Sequence, residues 1–532
     1  MEIRSSHPYP SRRSAVLAGN MVATSQPLAA QAGLEMLARG GNAVDAALAA
    51  AITLTLVEPT GNGLGSDAFA IVWDGTELHG LNASGRAPAA WTPERFAGRA
   101  EMPFTGWDAV TVPGAVSAWV ALSERFGKLP FATLFERAIA YGEEGFLVSP
   151  RVATTWAGAW EHLADEPGFA EGLLTDGAPP AAGTRWRNPD HAKSLRAIAE
   201  TKGAAFYGGA LAEAMVAHAA SHGGAMTMAD LAAHEADWCG TISKGFGDVA
   251  LHEIPPNGQG IAALMALGIL AHTGVRDLDA DDPRAMHLQI EAVKLALRDA
   301  EAYVADADAM TGVTADDLLD DGYLAVRAAE IDPDRATDFG AGAPKRGGTV
   351  YLTTADASGM MVSFIQSNYA GFGSGVVVPG TGIHLQNRGA GFTLEEGHPN
   401  RVGPRKRPFH TIIPGFLMGA DGQPVMSFGV MGGAMQAQGH TQMVMRTQVW
   451  GQDVQMAVDA PRWRVEQGLD LRVEDTMPAP ARAALAEMGH ALTVETPNLA
   501  FGFGGAQLIH RMPDGGYAGG SDPRKDGHAV GF

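Results

Sequence analysis

The Gly-Gly-Thr sequence at 347–349 is the part of this chain best suited to covalent chemistry. An apolar run, VYLTTAD at 350–356, follows it directly. A Thr that becomes the first residue of a chain carries a hydroxyl nucleophile and, on the same residue, an α-amine that serves as its base. The ordinary pKa of such an amine, about 7.7–8.0, suits a base at neutral pH. The pattern therefore predicts cleavage between Gly348 and Thr349, although many plain loop-to-strand junctions have the same sequence.

The predicted chemistry uses the Thr349 hydroxyl twice. In the uncut chain it attacks the carbonyl carbon of Gly348, which gives an ester that water cleaves. In the cut chain it attacks the amide carbonyl of a substrate. We expect Gly348 to lie in a tight turn with no room for a Cβ atom, because only glycine tolerates such close approach.

A second glycine pair suits the stabilisation of negative charge. Gly432 and Gly433 follow the apolar run VMSFGV (425–430) and precede a predicted helix that begins near Ala434. Backbone N–H groups at such a junction point outward together and can bind the oxyanion of a tetrahedral intermediate. A plain turn before a helix has the same sequence, so the pattern alone leaves both interpretations open.

Hydrophobic periodicity predicts the elements that must hold these residues. Before Thr349, helical patterns and their caps dominate, with Asn42 as a cap and Asp74-Gly75 closing a hairpin. The segment 306–346 is acidic and then rich in Gly, Ala, Pro and Lys, which predicts an exposed, mobile linker suited to cleavage. The predicted helices before the cut are 27–39, 43–57, several within 110–240, 259–273 and 283–305, and the predicted strands are 68–73, 78–82 and 249–254.

After Thr349 the pattern changes to strands and turns. This order of elements, taken alone, supports an α/β or an α+β fold. The predicted strands are 349–356, 360–367, 376–378, 410–418 and 425–429, and a helix is predicted at 434–450.

Composition limits the partners of the chain. Its net charge of −21 makes nucleic acid and anionic membrane surfaces poor partners. The single Cys239 excludes an internal disulfide and a cysteine metal cluster. His384, His410 and His440 lack the spacing of a metal-binding motif, so we predict no metal and no cofactor.

Two further features bear on location. The first twenty residues contain charges but no apolar core of a secretory signal, which predicts a cytoplasmic protein. The apolar stretch 46–59 is too short to span a bilayer and predicts a buried core helix.

Several segments resemble the γ-glutamyltransferase-like enzymes of the N-terminal-nucleophile hydrolase superfamily, in that family's order from about residue 19 to the C-terminus. The resemblance is strongest to a subgroup related to bacterial glutathione-hydrolase-like proteins and to oxamate amidohydrolase. The segments that carry it are 19–69, GWDAVTVPGAVSAW (106–119), IPPNGQGIAAL (254–264), MHLQIEAVKLALRDAEAYVAD (286–306), the run that begins at Gly347, KRPFHTIIP (406–414), FGVMGGAMQ (428–436) and SDPRKDGHAVGF (521–532).

The resemblance implies an α+β fold, the four-layer αββα sandwich of the N-terminal-nucleophile hydrolases. It also implies a precursor whose residues 1–348 form a large subunit, with an N-terminal arm at 1–18 and a linker at about 306–348, and whose residues 349–532 form a small catalytic subunit. Ser367 matches the hydroxyl that hydrogen-bonds the nucleophile in the family, and an ordinary strand serine is the alternative. Gly432 and Gly433 match the oxyanion hole.

Other matches concern the substrate. Arg86, in NASGRAP (82–88), corresponds best to the arginine that binds the substrate carboxylate, since a guanidinium pairs with a carboxylate through two parallel bonds. Its spacing to the following Ala-Pro is shorter than in the transpeptidases, and a surface arginine is the alternative. His410 and Thr411 stand where those enzymes have two serines.

The run QNRGAGF (386–392) departs from the transpeptidases. Gly391 stands where they have an aspartate that pairs with the α-ammonium group of the substrate, Arg388 replaces a neutral amide, and Tyr369 replaces a second ammonium contact. A pocket that loses a carboxylate and gains an arginine no longer favours an α-ammonium group.

Three functions remain open from the sequence. The first, which Arg86, Arg388 and Gly391 favour, is hydrolysis of a small carboxylate-bearing amide without an α-amine, such as oxamate. The second is γ-glutamyl transfer or glutathione hydrolysis, which the overall resemblance favours. The third is an uncleaved binding protein without catalysis. The expected partners are a small-molecule amide and the two subunits of one precursor, with assembly of the processed heterodimer into a homo-oligomer left open.

Overall fold

The computed structural model describes residues 13–340, 348–496 and 502–532. The Gly/Ala/Pro/Lys-rich end of the predicted linker, 341–347, lies outside the described residues. No helix among the described residues combines the length and the apolar character that crossing a membrane requires.

The strands are numbered in chain order through the described residues. They are β1 Val16–Ala18, β2 Met21–Thr24, β3 Asp67–Trp73, β4 Leu78–Asn82, β5 Phe146–Leu147, β6 Arg185–Trp186, β7 Asp237–Trp238, β8 Ile242–Phe246, β9 Val249–Glu253, β10 Gly348–Ala355, β11 Met361–Tyr369, β12 Val377–Val378, β13 Ile383–His384, β14 Gly415–Gly419, β15 Pro424–Met431, β16 Trp463–Gln467, β17 Asp470–Glu474, β18 Ala491–Glu495, β19 Gly505–Arg511, β20 Tyr517–Ser521 and β21 His528–Gly531.

The α-helices are numbered in the same way. They are α1 Pro27–Ala38, α2 Ala43–Val57, α3 Ala115–Phe126, α4 Glu136–Glu144, α5 Pro150–Ala159, α6 Phe169–Leu173, α7 Pro189–Thr201, α8 Ala204–Tyr207, α9 Ala210–Ser221, α10 Met228–Ala232, α11 Gly260–Leu270, α12 Pro283–Tyr303, α13 Ala315–Leu319, α14 Asp321–Ala328, α15 Met435–Val444, α16 Val454–Asp459 and α17 Ala479–Glu487. A π-helical turn, Met445–Val449, extends α15.

Two antiparallel sheets of seven strands form the centre of the molecule. The first has the order β1-β20-β19-β15-β14-β9-β8, and the second has the order β21-β2-β10-β11-β3-β4-β7. One core cluster joins side chains of both sheets, including Phe69, Tyr351 and Phe416. Two larger clusters join each sheet to the helices on its other side. The predicted four-layer αββα sandwich is therefore confirmed.

Strand β10 shows how the sequence specifies these layers. Val350 and Leu352 pack in the cluster beneath the helices, whereas Tyr351 packs between the sheets. Neighbouring side chains of a strand point to opposite faces, so a strand between two cores must be apolar on both. This is why the residues after Thr349 form an almost continuous apolar run.

The predicted helices and strands are found with shifts of up to about three residues at their ends, except that the strand predicted at 410–418 begins only at Gly415, as β14. Helix α2 is buried along its whole length, and Asn42 caps it in a reciprocal pair with Asp45. The predicted core helix at 46–59 is therefore confirmed. Helix 434–450 is found as α15 and its π-helical extension.

Two boundary predictions were wrong. The expected exposed linker contains α13 and α14, whose Leu318 and Leu324 are buried. Two of the acidic residues that suggested exposure are exposed and also cap these helices: Asp317 pairs with the cap residue Thr314, and Asp320 caps α14. The predicted arm at 1–18 also ends earlier than expected, because β1 pairs with β20.

Gly348 lies at the start of strand β10, so the predicted tight turn is also wrong. Gly348 pairs with Tyr369, whereas Val350 pairs with Gln366, so β11 contains one extra residue at this point. This bulge gives Tyr369 a φ of 76°, which is unfavourable for a residue with a side chain. The expected lack of space is present, since a Cβ atom on Gly348 would lie 3.0 Å from the Thr60 carbonyl oxygen.

Candidate active site

Thr349 and Ser367 lie side by side on the two central strands β10 and β11. The Thr349 Oγ1 hydroxyl donates to Ser367 Oγ at 3.1 Å, and both residues are fully buried. The regular pairing of Val350 with Gln366, continued by one residue, places Ser367 opposite Thr349, and the register shifts only between this point and Gly348.

Ser367 connects the Thr349 hydroxyl to the peptide bond before it. Its hydroxyl donates to the Gly348 carbonyl oxygen at 2.6 Å and also accepts from the Tyr369 N–H at 2.8 Å. One donor and two acceptor positions complete the bonding capacity of a hydroxyl group. The arrangement therefore fixes Ser367 between the oxygen of Thr349 and the oxygen of the adjoining carbonyl.

The glycine pair occupies the strand-to-helix junction that the sequence predicted. Gly432 has a φ of 125° and Gly433 a φ of 64°, a backbone geometry that favours glycine. The pair connects β15 to α15, and α15 carries Gln436, whose Nε2 lies 3.5 Å from Thr349 Oγ1. The structure thus brings the Gly432–Gly433 loop to the same site as Thr349.

Arg388 is a buried arginine with incomplete bonding. It is 1% exposed, its Nη1 donates to Thr411 Oγ1 at 2.8 Å, and its guanidinium carbon lies 4.8 Å from the centre of the Tyr369 ring. Among the residues that the structure describes, its Nε and Nη2 have no hydrogen-bond partner. Buried charged donors without partners are costly, so the site has free capacity for an anion.

Asp67 and His410 form a buried pair beside this arginine. His410 Nε2 lies 3.1 Å from Asp67 Oδ2, and the Ile412 N–H donates weakly to His410 Nδ1 at 3.4 Å. Burial, with help from Arg388, lowers the pKa of His410 well below its ordinary value. His410 is therefore neutral, and its Nε2–H donates to the Asp67 carboxylate, since Nδ1 accepts.

Burial raises the pKa of Asp67 to about 7, against the opposing effects of Arg388 and of the N–H groups of Gly85 and Gly114. Burial also lowers the pKa of Arg388 to about 10, and Asp67 opposes that shift. The two groups thus stabilise each other's charged forms, and Asp67 changes charge near neutral pH.

Arg86 is not among the residues that meet at this site. Its Nη1 donates to Asp306 Oδ2 at 2.9 Å and to the Arg405 carbonyl oxygen at 3.2 Å, and its side chain is 40% exposed. The guanidinium therefore already has a carboxylate partner within the chain.

Gly391 lines a cavity of about 600 Å³ next to Tyr369. A Cβ atom on Gly391 would lie 2.6 Å from the Phe409 carbonyl oxygen, so a side chain there requires the backbone to shift. Asn400 joins the two segments of the cavity lining that contain Gly391 and Phe409. Its side chain donates to the Gly391 carbonyl at 2.7 Å and accepts from the Phe409 N–H at 2.9 Å. The rest of the lining includes apolar residues, Met102, Phe104, Phe392 and Leu394, and acidic ones, Glu101, Glu301 and Glu395.

The three histidines considered as metal ligands have separate partners. His384 Nε2 faces the carbonyl oxygens of Pro59 and Asn62, and His440 bonds Glu253 at 2.6 Å. Since His410 contacts Asp67, each of the three histidines has a different partner, and they do not form a shared set of ligands.

Sequence reasoning missed Asp67, Gln259 and Gln436. Gln259 Nε2 donates to the carbonyl oxygens of Thr411 and Gly433. All three residues lie inside segments that carried the resemblance, namely 19–69, IPPNGQGIAAL and FGVMGGAMQ. Asp67 also ends GNGLGSD (61–67), where Gly61 packs against the Thr349 carbonyl. The signal that could have identified these three residues is that they are polar residues within segments that carry the resemblance.

Two seven-stranded sheets between helical layers, with a Gly-Thr junction at the start of a central strand, define the N-terminal-nucleophile hydrolase fold. The chain matches the model of the gamma-glutamyltranspeptidase family over residues 29–532. It therefore belongs to that family, and the resemblance predicted from its motifs is confirmed.

Three relatives show how far the similarity extends. The oxamate amidohydrolase proenzyme of Klebsiella pneumoniae is 36% identical over 525 residues, 96% of this chain and 98% of that protein. The glutathione hydrolase-like YwrD proenzyme of Bacillus subtilis is 35% identical over 532 residues, 98% of this chain and 100% of that protein. The crystal structure of a cephalosporin acylase from Bacillus halodurans matches with a TM-score of 0.94 and 46% identity, covering 100% of this chain and 99% of that one.

Proposed function

We propose that this protein is a self-processing amidohydrolase that uses Thr349 as its nucleophile and cleaves an amide of a small carboxylate-bearing acid. The observation that carries the proposal is the chain of hydrogen bonds from Thr349 Oγ1 through Ser367 Oγ to the Gly348 carbonyl oxygen. Two of the similar proteins are named as proenzymes, and one is named for an amide hydrolysis, which supports the same assignment.

The first step is processing. Thr349 Oγ attacks the Gly348 carbonyl carbon, its proton passes to Ser367 Oγ, and the proton of Ser367 moves to the carbonyl oxygen. The C–N bond then breaks as the hydroxyl formed on the carbonyl oxygen gives its proton to the departing amine, and Gly348 is held as an ester on Thr349. Water hydrolyses that ester, which leaves Thr349 with a free α-amine.

In turnover, the α-amine accepts the proton of the Thr349 hydroxyl as it attacks the substrate amide. The Gly432–Gly433 loop presents backbone N–H groups to the oxyanion, whose stabilisation is a large contribution to catalysis in such sites. The amine product leaves with the proton, and water releases the acid from the acyl-enzyme.

We assign the substrate carboxylate to Arg388 and not to Arg86. Among the described residues, Arg388 has two donor atoms without partners in a buried site beside Tyr369, whereas the guanidinium of Arg86 is paired with Asp306. Thr411 orients Arg388 through its hydroxyl. Gly391 supplies no negative charge for an α-ammonium group, so an acyl group without an α-amine is favoured.

We expect γ-glutamyl anilide to be a poor substrate, with a kcat/KM at least about 10²-fold below that of the best small amide. This corresponds to roughly 2.7 kcal/mol of transition-state binding. The measurement compares γ-glutamyl anilide, its desamino analogue glutaryl anilide, and oxamate under the same conditions. A clear preference for the γ-glutamyl compound over the glutaryl compound contradicts the substrate assignment.

That opposite result would favour γ-glutamyl transfer or hydrolysis, the second candidate function. One observation favours it: Glu101, Glu301 and Glu395 line the cavity next to Gly391, so carboxylates are present in the neighbourhood of the missing aspartate. Failure of the wild type to cleave itself would instead favour a binding protein without catalysis.

Binding of a carboxylate should weaken as pH rises through 7. Below that pH, Asp67 is protonated and Arg388 has no internal counter-charge; above it, the Asp67 carboxylate competes with the ligand for Arg388. We expect the inhibition constant of glutarate to rise at least about fivefold between pH 6 and pH 8.5, since coupling of about 1 kcal/mol is typical. The Asp67→Asn variant should give a smaller rise, because only the Thr349 α-amine, with an ordinary pKa of about 7.7–8.0, then titrates in this range. A constant that falls over this range, or a rise of the same size in the variant, contradicts the assignment.

A further inference from the structure

The loop IPPNGQG (254–260) packs against the segment that carries His410 and Thr411. Gly258 and His410 form a parallel bridge, in which the His410 N–H donates to the Asn257 carbonyl at 2.9 Å and the Gln259 N–H donates to the His410 carbonyl at 2.8 Å. The side chain of Asn257 adds a bond to the Pro408 carbonyl at 2.7 Å. The loop is thus hydrogen-bonded, mainly through its backbone, to the segment that carries His410 and Thr411, which forms one side of the site.

The side chain of Gln259 connects this loop to the Gly432–Gly433 loop on another side of the site. Its Nε2 donates to the Thr411 carbonyl at 2.5 Å and to the Gly433 carbonyl at 2.9 Å, and the residue is fully buried. An amide nitrogen has two hydrogens, so these two bonds use its whole donor capacity. If the Gln259 side-chain amide were flipped, its oxygen would face the two carbonyl oxygens and could not bond them. The hydrogen-bond network therefore fixes the orientation of this amide.

We propose that Gln259 is a positioning residue. Its side chain holds the Gly432–Gly433 loop at a fixed distance from Thr411, the residue that bonds Arg388. Gly433 belongs to the loop that faces the oxyanion, and Thr411 orients Arg388 through its hydroxyl. One side chain therefore fixes the distance between the group that binds the carboxylate and the group that stabilises the transition state. This inference rests on the proposed function.

The inference separates turnover from processing. During processing, the Gly348 carbonyl oxygen is bonded by Ser367, whereas the described hydrogen bonds of the Gln259 side chain go to Thr411 and Gly433. Loss of the Gln259 side chain should therefore displace the Gly432–Gly433 loop, which affects turnover of the substrate, and leave self-cleavage intact. A merely structural glutamine would affect both steps in proportion to the loss of folded protein.

The test compares Gln259→Leu with Gln455→Leu. Gln455 is a matched control, because it is also buried and also joins backbone, donating to the Ser521 carbonyl and accepting from the Ser521 N–H. For Gln259→Leu we expect complete self-cleavage, a kcat about 10²-fold lower, as for loss of an oxyanion donor, and a smaller rise in KM. For Gln455→Leu we expect a similar fall in melting temperature with kcat unchanged.

A second variant tests the same idea within one folded protein. Gln259→Glu places carboxylate oxygens against the carbonyls of Thr411 and Gly433, whereas the protonated acid can donate one bond. Its kcat relative to wild type should therefore recover as pH falls.

The outcomes are distinct. An active wild type with an unchanged kcat in Gln259→Leu, a parallel loss of cleavage and turnover, or a Glu variant without pH recovery overturns the role of Gln259. A wild type that neither cleaves itself nor hydrolyses any amide overturns the proposed function instead.

Discussion

The Thr349→Ala variant is expected to remain a single chain of 55.4 kDa and to lose amide hydrolysis by more than about 10⁴-fold. Without the hydroxyl, neither the Gly348 carbonyl nor a substrate meets a nucleophile, and Ser367 loses the proton it would relay. Denaturing gel electrophoresis should show two fragments for the wild type, and N-terminal sequencing of the smaller one should read Thr-Val-Tyr-Leu.

Thr354→Ala is the matched control for this experiment. Thr354 is a buried threonine on the same strand, and its hydroxyl donates to the Ala43 carbonyl at 2.7 Å, away from the site. It should cleave fully and retain its activity. Two fragments with the same cut in Thr349→Ala would show that another group performs the cleavage.

Arg388→Gln is expected to lower kcat/KM for a carboxylate-bearing substrate by about 10²-fold or more, because it removes a buried charge partner of the ligand. The measurement is the ratio of kcat/KM for glutaryl anilide to that for butyryl anilide, which lacks the carboxylate. Taking the ratio cancels any general damage to the site. Self-cleavage should proceed, since it involves no substrate carboxylate.

Arg86→Gln is the comparison that decides between the two arginines. Because the Arg86 guanidinium is exposed and already paired with Asp306, we expect the same ratio to change by less than about threefold. A large fall in the ratio for Arg86→Gln with little change for Arg388→Gln would reverse the assignment.

Local sequence was sufficient for most of the fold and for the closeness of Thr349 and Ser367. The helices were predictable because caps such as Asn42 and hydrophobic periodicity act over a few residues. Thr349 and Ser367 lie on neighbouring strands of one hairpin, so their closeness follows from local pairing. The bulge itself was not predictable, because it depends on packing around Tyr369.

The rest of the site depends on contacts between distant parts of the chain. Asp67 and His410 are 343 residues apart, and Gln259 and Gly433 are 174 apart. No local pattern connects such residues, so the sequence could not reveal that Asp67 faces Arg388. The acidic segment with α13 and α14 was misjudged for a related reason, since both helices pack against α11, which is distant in sequence, and α14 also packs against α12.

Both sheets interleave strands from either side of the Gly348–Thr349 bond. In the second sheet, β10 and β11 lie between β2 and β3, and in the first, β20, β19, β15 and β14 lie between β1 and β9. Once the bond is cut, neither fragment can complete a sheet alone. Folding of the uncut chain is a first-order process, whereas recovery of the denatured cut protein requires two molecules to meet. Cleavage would thus turn a reversible folding equilibrium into a concentration-dependent assembly, and at high dilution the native state would persist only through its slow unfolding rate.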